Sequence, residues 1–188
     1  SRESMNVDCS GVADSFPNLY VIGFMGTGKS SISRRVARKL GMQFLDVDDE
    51  IERSTNLPIA KIFDKHGEAY FRQLEWDFID SGHPEEGCVI SCGGGLITQD
   101  GMGAFLKSKG VLLCLHASVE TILDRTRGNL NRPLLNVDNP RERISQLLAE
   151  RQSYYAAAHA SILTDQRSIS EVVEHVVRNY RTLSPKRF

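Results

Sequence analysis

The sequence has no uncharged run long enough to cross a membrane. The longest, 15–28, is 14 residues and holds Pro17 and several glycines, against the ~20 apolar residues a spanning helix needs. It has no excess of one charge. Lys+Arg total 23 and Asp+Glu 24, a formal −1, so no global field holds nucleic acid or an anionic membrane. The opening Ser-Arg-Glu-Ser-Met lacks the apolar core of a signal peptide, and the expectation is a chain that is not secreted. Cysteine is scarce: Cys9, Cys88, Cys92 and Cys114. A strand would hold Cys88 and Cys92 roughly 13 Å apart, beyond disulfide reach. No Cys-x-x-Cys and no nearby His pair offers a zinc site. Buried free thiols in a reducing cytoplasm are expected. The five histidines show neither metal nor triad spacing. His66, His83 and His175 read as surface residues and His116 as a strand end. Ser91-Cys92 has no evident base partner, which argues against a covalent hydrolase. Internal repeats and low-complexity tracts are absent.

What is present is ordinary in amount and uneven in placement. A chain of 188 residues with 40% apolar content is long enough to bury one substantial core. The expectation is a single domain spanning 1–188, with 1–16 a flexible N-terminal segment. Sixteen of the 23 basic residues are Arg and seven are Lys, and Arg is the side chain that grips carboxylates and phosphates with two parallel bonds. From Asp46 to Arg53 the local charge is −4; from Arg125 to Arg151 it is +3.

Five short apolar runs read as strands: Leu19–Gly23, Phe44–Asp46, Cys88–Ser91, Val111–Leu115 and Ser161–Thr164. They lack polar alternation, as strands covered on both faces do. Helical patterns intervene at Ser30–Leu40, Asp48–Ser54, Ile59–His66, Glu68–Ser81, Asp100–Lys109, Ser118–Arg127, Arg141–Ala158 and Ser170–Arg181. Gly41 reads as a stop signal and Ser118 as an N-cap. Strands alternating with helices point to an α/β domain with a mainly parallel sheet. One long irregular stretch, Gly128–Pro140, reads as a functional loop.

The strongest motif is Gly23-Phe-Met-Gly-Thr-Gly28-Lys29-Ser30, between a strand and a helix. It matches G-x-x-x-x-G-K-[ST], in which curled backbone N–H groups and a helix N-terminus cradle phosphates. Lys29 is expected on the β- and γ-phosphates and Ser30 on Mg²⁺. Asp46 and Asp48 end the second strand, where ligands gather in parallel α/β sheets. One carboxylate there can serve a hydrated metal and the other can take a hydroxyl proton; a helix start decorated with acids is the plainer reading. The turn Gly93-Gly94-Gly95 after the third strand suggests close approach of a ligand or another backbone, with a plain flexible turn as the alternative. Arg72 and Glu75 lie three apart on one helix face, so Glu75 can orient Arg72 toward an anion, or the two can form an exposed ion pair. Arg132 beside Pro133 on the irregular stretch suits closure over a transferring phosphate, or the stretch is simply a solubilising loop, and Arg151 alone reads as a surface residue.

Taken in order, these motifs resemble the shikimate kinase family of P-loop small-molecule kinases, from about Leu19 to Arg181. The features that carry the likeness are the phosphate loop, Asp46-x-Asp48, Phe71-Arg72-x-x-Glu75, Gly93–Gly95, Arg132-Pro133-Leu134-Leu135 and Arg151. The resemblance implies a three-layer P-loop NTPase fold with a five-stranded parallel sheet, a small helical substrate-binding region at 48–81 and a lid at 125–140. It implies phosphorylation of the 3-hydroxyl of shikimate by ATP with Mg²⁺, in a cytoplasmic monomer of the aromatic amino acid pathway. Gly26, Thr27, Gly28, Lys29, Ser30, Ser31, Arg125 and Arg167 would meet the nucleotide. Ser30 and Asp46 would hold the metal, Asp46 through water. Asp48 would bind substrate hydroxyls and act as base. Arg72 and Arg151 would clamp the carboxylate, and Phe63 and Phe71 would wall the ring. Gly93, Gly94 and Gly95 would border the substrate, and Arg132 would be the lid arginine. The third strand ends in Ser91 where other P-loop proteins carry an Asp, which shifts the metal burden to Ser30 and Asp46.

Two other classes share the nucleotide half: a gluconate-type metabolite kinase and a non-catalytic, kinase-like binding protein. The paired arginines and the triple glycine argue against the first, and the complete motif set against the second. If Arg132 is the lid arginine, Arg132→Ala lowers kcat more than it raises KM for either substrate. Steady-state kinetics showing only a raised KM would contradict that role.

Overall fold

The computed structural model describes residues 16–127 and 137–185. Its strands are β1 (Asn18–Gly23), β2 (Gln43–Asp46), β3 (Cys88–Ser91), β4 (Gly110–His116) and β5 (Ala160–Leu163). They form one parallel sheet in the order β2-β3-β1-β4-β5. The helices are α1 (Lys29–Leu40), α2 (Val47–Thr55), α3 (Ile59–His66), α4 (Glu68–Ser81), α5 (Met102–Lys109), α6 (Val119–Thr126), α7 (Pro140–Tyr155) and α8 (Ile169–Leu183).

Alternate strand residues point to opposite faces, and each face carries its own core. Leu19, Val21, Val89, Leu113 and Leu115 pack against Val36 of α1 and Val172, Val176 and Tyr180 of α8. Tyr20, Ile22, Ile90, Leu112 and Cys114 pack against Ile51, Ile62, Phe71, Ile79, Leu106, Ile122 and Ile144 from α2 to α7. The result is three layers, with central strands buried on both sides. β1 sits mid-sheet, and the chain leaves it first toward β2 and later toward β4. The cleft opens at that switch point.

Local chemistry sets the helix ends. Gly41 closes α1 at φ 67°. The Ser118 hydroxyl caps α6 by accepting from the Thr121 N–H, and Ser168 caps α8 through Glu171. α7 begins one residue earlier than its pattern indicated, because Asn139 caps Glu142 and Pro140 occupies the first helical position. It ends at Tyr155, where Ala157 and Ala158 turn back onto the Tyr154 and Tyr155 carbonyls. α5 begins at Met102, after a short 3₁₀ turn, Leu96–Thr98, that the sequence pattern did not reveal. β5 stops at Leu163, although Thr164 still donates to the His116 carbonyl at 2.8 Å.

Two surface assignments fail. His175 is half buried. His83 is half buried too, 2.7 Å from the Pro84 carbonyl and within 3.2 Å of the Tyr20 hydroxyl and the Ile79 carbonyl. It belongs to a polar knot centred on Asn18, whose Oδ1 accepts from the buried Cys88 N–H at 2.9 Å while Nδ2 donates to the Pro84 carbonyl at 2.8 Å. This knot fastens the start of β3 beside β1. Asn18→Ala strands the Cys88 N–H and should cost about 1–3 kcal/mol of stability. Urea unfolding with a loss under about 0.5 kcal/mol would contradict that role.

Candidate active site

The phosphate loop runs from the end of β1 into α1. At Gly23 a side chain would collide with the Leu115 carbonyl of β4, and Gly28 stands at φ 82°. No side chain caps α1 at Gly28, so its first N–H groups and dipole face the cleft. Thr27 is buried and donates to the Phe24 carbonyl at 2.7 Å. Lys29 Nζ folds over the loop and donates to the carbonyls of Gly23 at 2.7 Å and Phe24 at 3.2 Å.

The acids stand across from it. Asp46 Oδ2 accepts from the Ser30 hydroxyl at 2.8 Å, while its Oδ1 accepts from the Asp49 N–H and so caps α2. The Ser91 hydroxyl lies 3.3 Å from that of Ser30. Ser30, Asp46 and Ser91 present hard oxygen donors, and among the described residues no group of three His, Cys, Asp or Glu could hold a metal. That donor set fits Mg²⁺, which takes one or two protein ligands and fills its remaining positions with phosphate and water.

Asp48 lies in the first turn of α2, two residues on. Its Oδ1 is buried, with no hydrogen-bond partner among the described residues. Burial pushes its pKa up to about 6; Asp46 adds to the rise and Lys29 opposes it. A buried carboxylate oxygen without a donor is costly, so this atom waits for one.

The triple-glycine turn gathers side chains from three helices. A Cβ on Gly93 would stand 3.1 Å from Asp48 Oδ1 of α2, and one on Gly94 would stand 3.3 Å from Arg151 Nη1 of α7. One on Gly95 would collide with the Arg72 guanidinium of α4, 2.9 Å from its Cζ. Arg72 Nη1 donates to Glu75 Oε1 at 2.5 Å. Glu75 is 1% exposed, so this is a buried, aimed pair and not the exposed one that spacing alone allowed. Burial pushes the Glu75 pKa up to about 7 against the pull of Arg72. Arg151 is half buried, not a surface residue, and lies 5.4 Å above the Phe24 ring. Phe63 and Phe71 meet with ring centroids 4.8 Å apart.

A cleft of about 710 Å³ runs from Asp48, Gly93 and Gly94 along the loop residues 25–32 to Arg125, Thr164, Arg167, Ile169 and Val172. Arg125 Nη1 donates to the Gly26 carbonyl and to Thr164 Oγ1, at 3.1 and 3.0 Å. Arg167 Nη1 donates to the Leu163 carbonyl at 2.9 Å. Phe63, Phe71, Arg72, Gly95 and Arg151 do not line this cleft; Arg72 and Arg151 stand against Gly95 and Gly94, and Phe71, below the Arg72 guanidinium, meets the exposed Phe63. Arg132 lies outside the described residues. Ile169 and Val172 were missed, because they read as helix residues and only the turn after β5 swings them to the cleft. Cys88, Cys92 and Cys114 are buried free thiols, as expected, and burial raises the pKa of each.

The family profile described as "Shikimate kinase" matches residues 25–181. The chain is 44% identical to a shikimate kinase of Thermodesulfovibrio yellowstonii, over 89% of this chain and 96% of that protein. It is 41% identical to one from Acinetobacter baylyi, over 88% and 92%. The structure of the Acinetobacter baumannii shikimate kinase in complex with shikimate superposes with a TM-score of 0.82 at 38% identity, covering 91% of this chain and 96% of that one. A Sinorhizobium meliloti gluconokinase shares the fold alone, with a TM-score of 0.62 at 16% identity.

The exposed Ile169 offers an apolar face beside Arg125 at the far end of the cleft. Ile169→Asp is expected to weaken ADP binding on the order of tenfold by desolvating a charge there. Titration calorimetry showing unchanged ADP affinity would remove Ile169 from the nucleotide site.

Proposed function

The chain belongs to the shikimate kinase family, and from that premise we propose how its residues carry the transfer of a phosphoryl group from ATP to the 3-hydroxyl of shikimate. The observation that carries the reading is the convergence of Asp48, Arg151 and Arg72 on Gly93, Gly94 and Gly95, beside the phosphate loop.

Gly26, Thr27, Gly28, Ser30 and Ser31 cradle the phosphates, and Lys29 exchanges loop carbonyls for phosphate oxygens. Arg125, Arg167 and Ile169 hold the base. Ser30 and Asp46 are the residues that would hold Mg²⁺, which when bound neutralises phosphate charge as transfer proceeds. Arg72 and Arg151 grip the carboxylate of shikimate, with Phe63 and Phe71 against the apolar part of its ring. The orphan Asp48 Oδ1 accepts a hydrogen bond from the ring hydroxyl and then its proton as oxygen attacks the γ-phosphorus. The bond from that phosphorus to the β–γ bridging oxygen breaks, and ADP leaves. A pKa of about 6 leaves Asp48 ionised at neutral pH yet basic enough to share the proton. Arg132 closes over the transferring group from the lid at 125–140. The segment 48–81 supplies the substrate side.

We further propose a monomer in a reducing cytoplasm, without nucleic acid or membrane partners. Buried free thiols support the compartment, and among the described residues no helix is long and apolar enough to cross a membrane.

A coupled assay should show ADP release that depends on shikimate and is not elicited by gluconate. Release that ignores shikimate would overturn the reading. Asp48→Asn should lower kcat on the order of 10²–10⁴-fold, the usual range for a general base; near-wild-type turnover would remove Asp48 from that role.

A further inference from the structure

Arg72 has two acceptors that pull in opposite directions. Glu75, one turn on, is buried and draws the guanidinium against Gly95; Glu68, one turn back, lies 3.5 Å from Arg72 Nε and its side chain is 71% exposed. A helix alone does not choose between them, because i,i+3 and i,i+4 partners are equally near. Solvation favours Glu68, since Glu75 must hold its charge at 1% exposure.

Something from outside α4 tips the balance. Gln99 directly follows the 3₁₀ turn that continues from Gly93–Gly95. Its Nε2 donates to Glu75 Oε1 at 3.2 Å and lies 3.3 Å from the Leu96 carbonyl. Glu75 Oε2 has no hydrogen-bond partner among the described residues, so both donors act on the other oxygen. We propose that Gln99 is a positioning residue for carboxylate recognition: it holds Glu75 as the inward acceptor that aims Arg72 at the glycine turn. This rests on the reading of Arg72 as a group that meets the shikimate carboxylate.

The energetics agree in direction. The groups facing Glu75 are Arg72 and Glu68 of α4, Asp48 of α2 and the Cys92 thiol after β3. Burial already lifts its pKa to about 7, and Asp48 and Glu68 add to the rise. Loss of a donor to the carboxylate raises it further. At neutral pH more Glu75 is then protonated, its hold on Arg72 weakens, and Arg72 turns outward to Glu68. Well above the folded pKa the carboxylate ionises again and the penalty shrinks.

The test is steady-state kinetics of full-length wild type, Gln99→Ala, Glu68→Gln and the double variant, from pH 6 to about pH 9. Gln99→Ala should raise KM for shikimate about tenfold at neutral pH. Its KM for ATP and its kcat should change less than about twofold, and the defect should fade toward alkaline pH. Adding Glu68→Gln should restore most of the lost affinity, because the outward acceptor is gone. An unchanged KM for shikimate overturns the proposal. So does a defect that is equal at every pH and untouched by Glu68→Gln, since that is mere structural damage. If Gln99→Ala fails to fold, the nearly isosteric Gln99→Glu takes its place. Its KM for shikimate should rise with pH as two carboxylates repel, and a flat profile overturns the proposal. Wild type that releases no ADP with shikimate overturns the functional reading and this inference together. Wild-type turnover with an unaltered Gln99→Ala overturns this inference alone.

Discussion

Three side chains from three helices can meet only where no fourth side chain stands. The turn after β3 meets that condition at three successive positions, with Asp48 against Gly93, Arg151 against Gly94 and Arg72 against Gly95. A methyl group at the last would occupy the space of the guanidinium. The helices α2, α4 and α7 share an apolar core beneath the sheet face and also converge on this surface of bare backbone. Their inward angles, and therefore the pocket, depend on it. The sheet serves the same end: β3 lies beside β1, so the glycine turn and the phosphate loop emerge side by side at one edge.

Charge is arranged around that edge as two opposed environments. Asp46 and Asp48 stand where the sheet meets α2; the neighbouring Asp46 adds to the burial that resists ionisation of Asp48, and Lys29 opposes both. On the other side of the glycine turn, Arg72 is held by a carboxylate that burial makes reluctant to ionise. Each group is partly compensated, and none is neutralised. A metal ion with its phosphates, and a substrate bearing both hydroxyls and a carboxylate, would complete the compensation from outside the protein. In the proposed roles, a turn without side chains would separate the proton-accepting carboxylate from the anion-gripping arginines and keep the two from cancelling each other.

β1, β3 and β4 were legible because a strand covered on both faces must be apolar throughout. β2 and β5 are edge strands left partly exposed, so the expectation of cover on both faces fails for them, and they were legible only as short bounded runs. The phosphate loop was legible because its glycines, lysine and serine act through local backbone geometry. Where the reading failed, the deciding contact was remote. The spacing of Arg72 and Glu75 is the same whether the pair is solvated or buried; only the packing of α4 behind the glycine turn decides. His83 follows a helix end, as many surface histidines do, and its partners Asn18 and Tyr20 come from more than 60 residues away. Ile169 begins a helix, and nothing nearby in sequence says that it faces a cleft. Gln99 had no signal at all, since a glutamine after a turn is ordinary until Glu75 is found opposite it. The lid reading rests on Arg132 and its neighbours, outside the described residues.

The posture of Lys29 has a thermodynamic consequence. Its ammonium group already rests on the carbonyls of Gly23 and Phe24, so in its proposed role an arriving phosphate would take over an ordered cation. Little rotamer freedom remains to be lost. Set against that, two carbonyl contacts are given up as phosphate contacts form. The affinity this lysine would contribute is therefore a difference between the bonds it gives up and those it forms. In that role binding and release would be a change of partners on one cation.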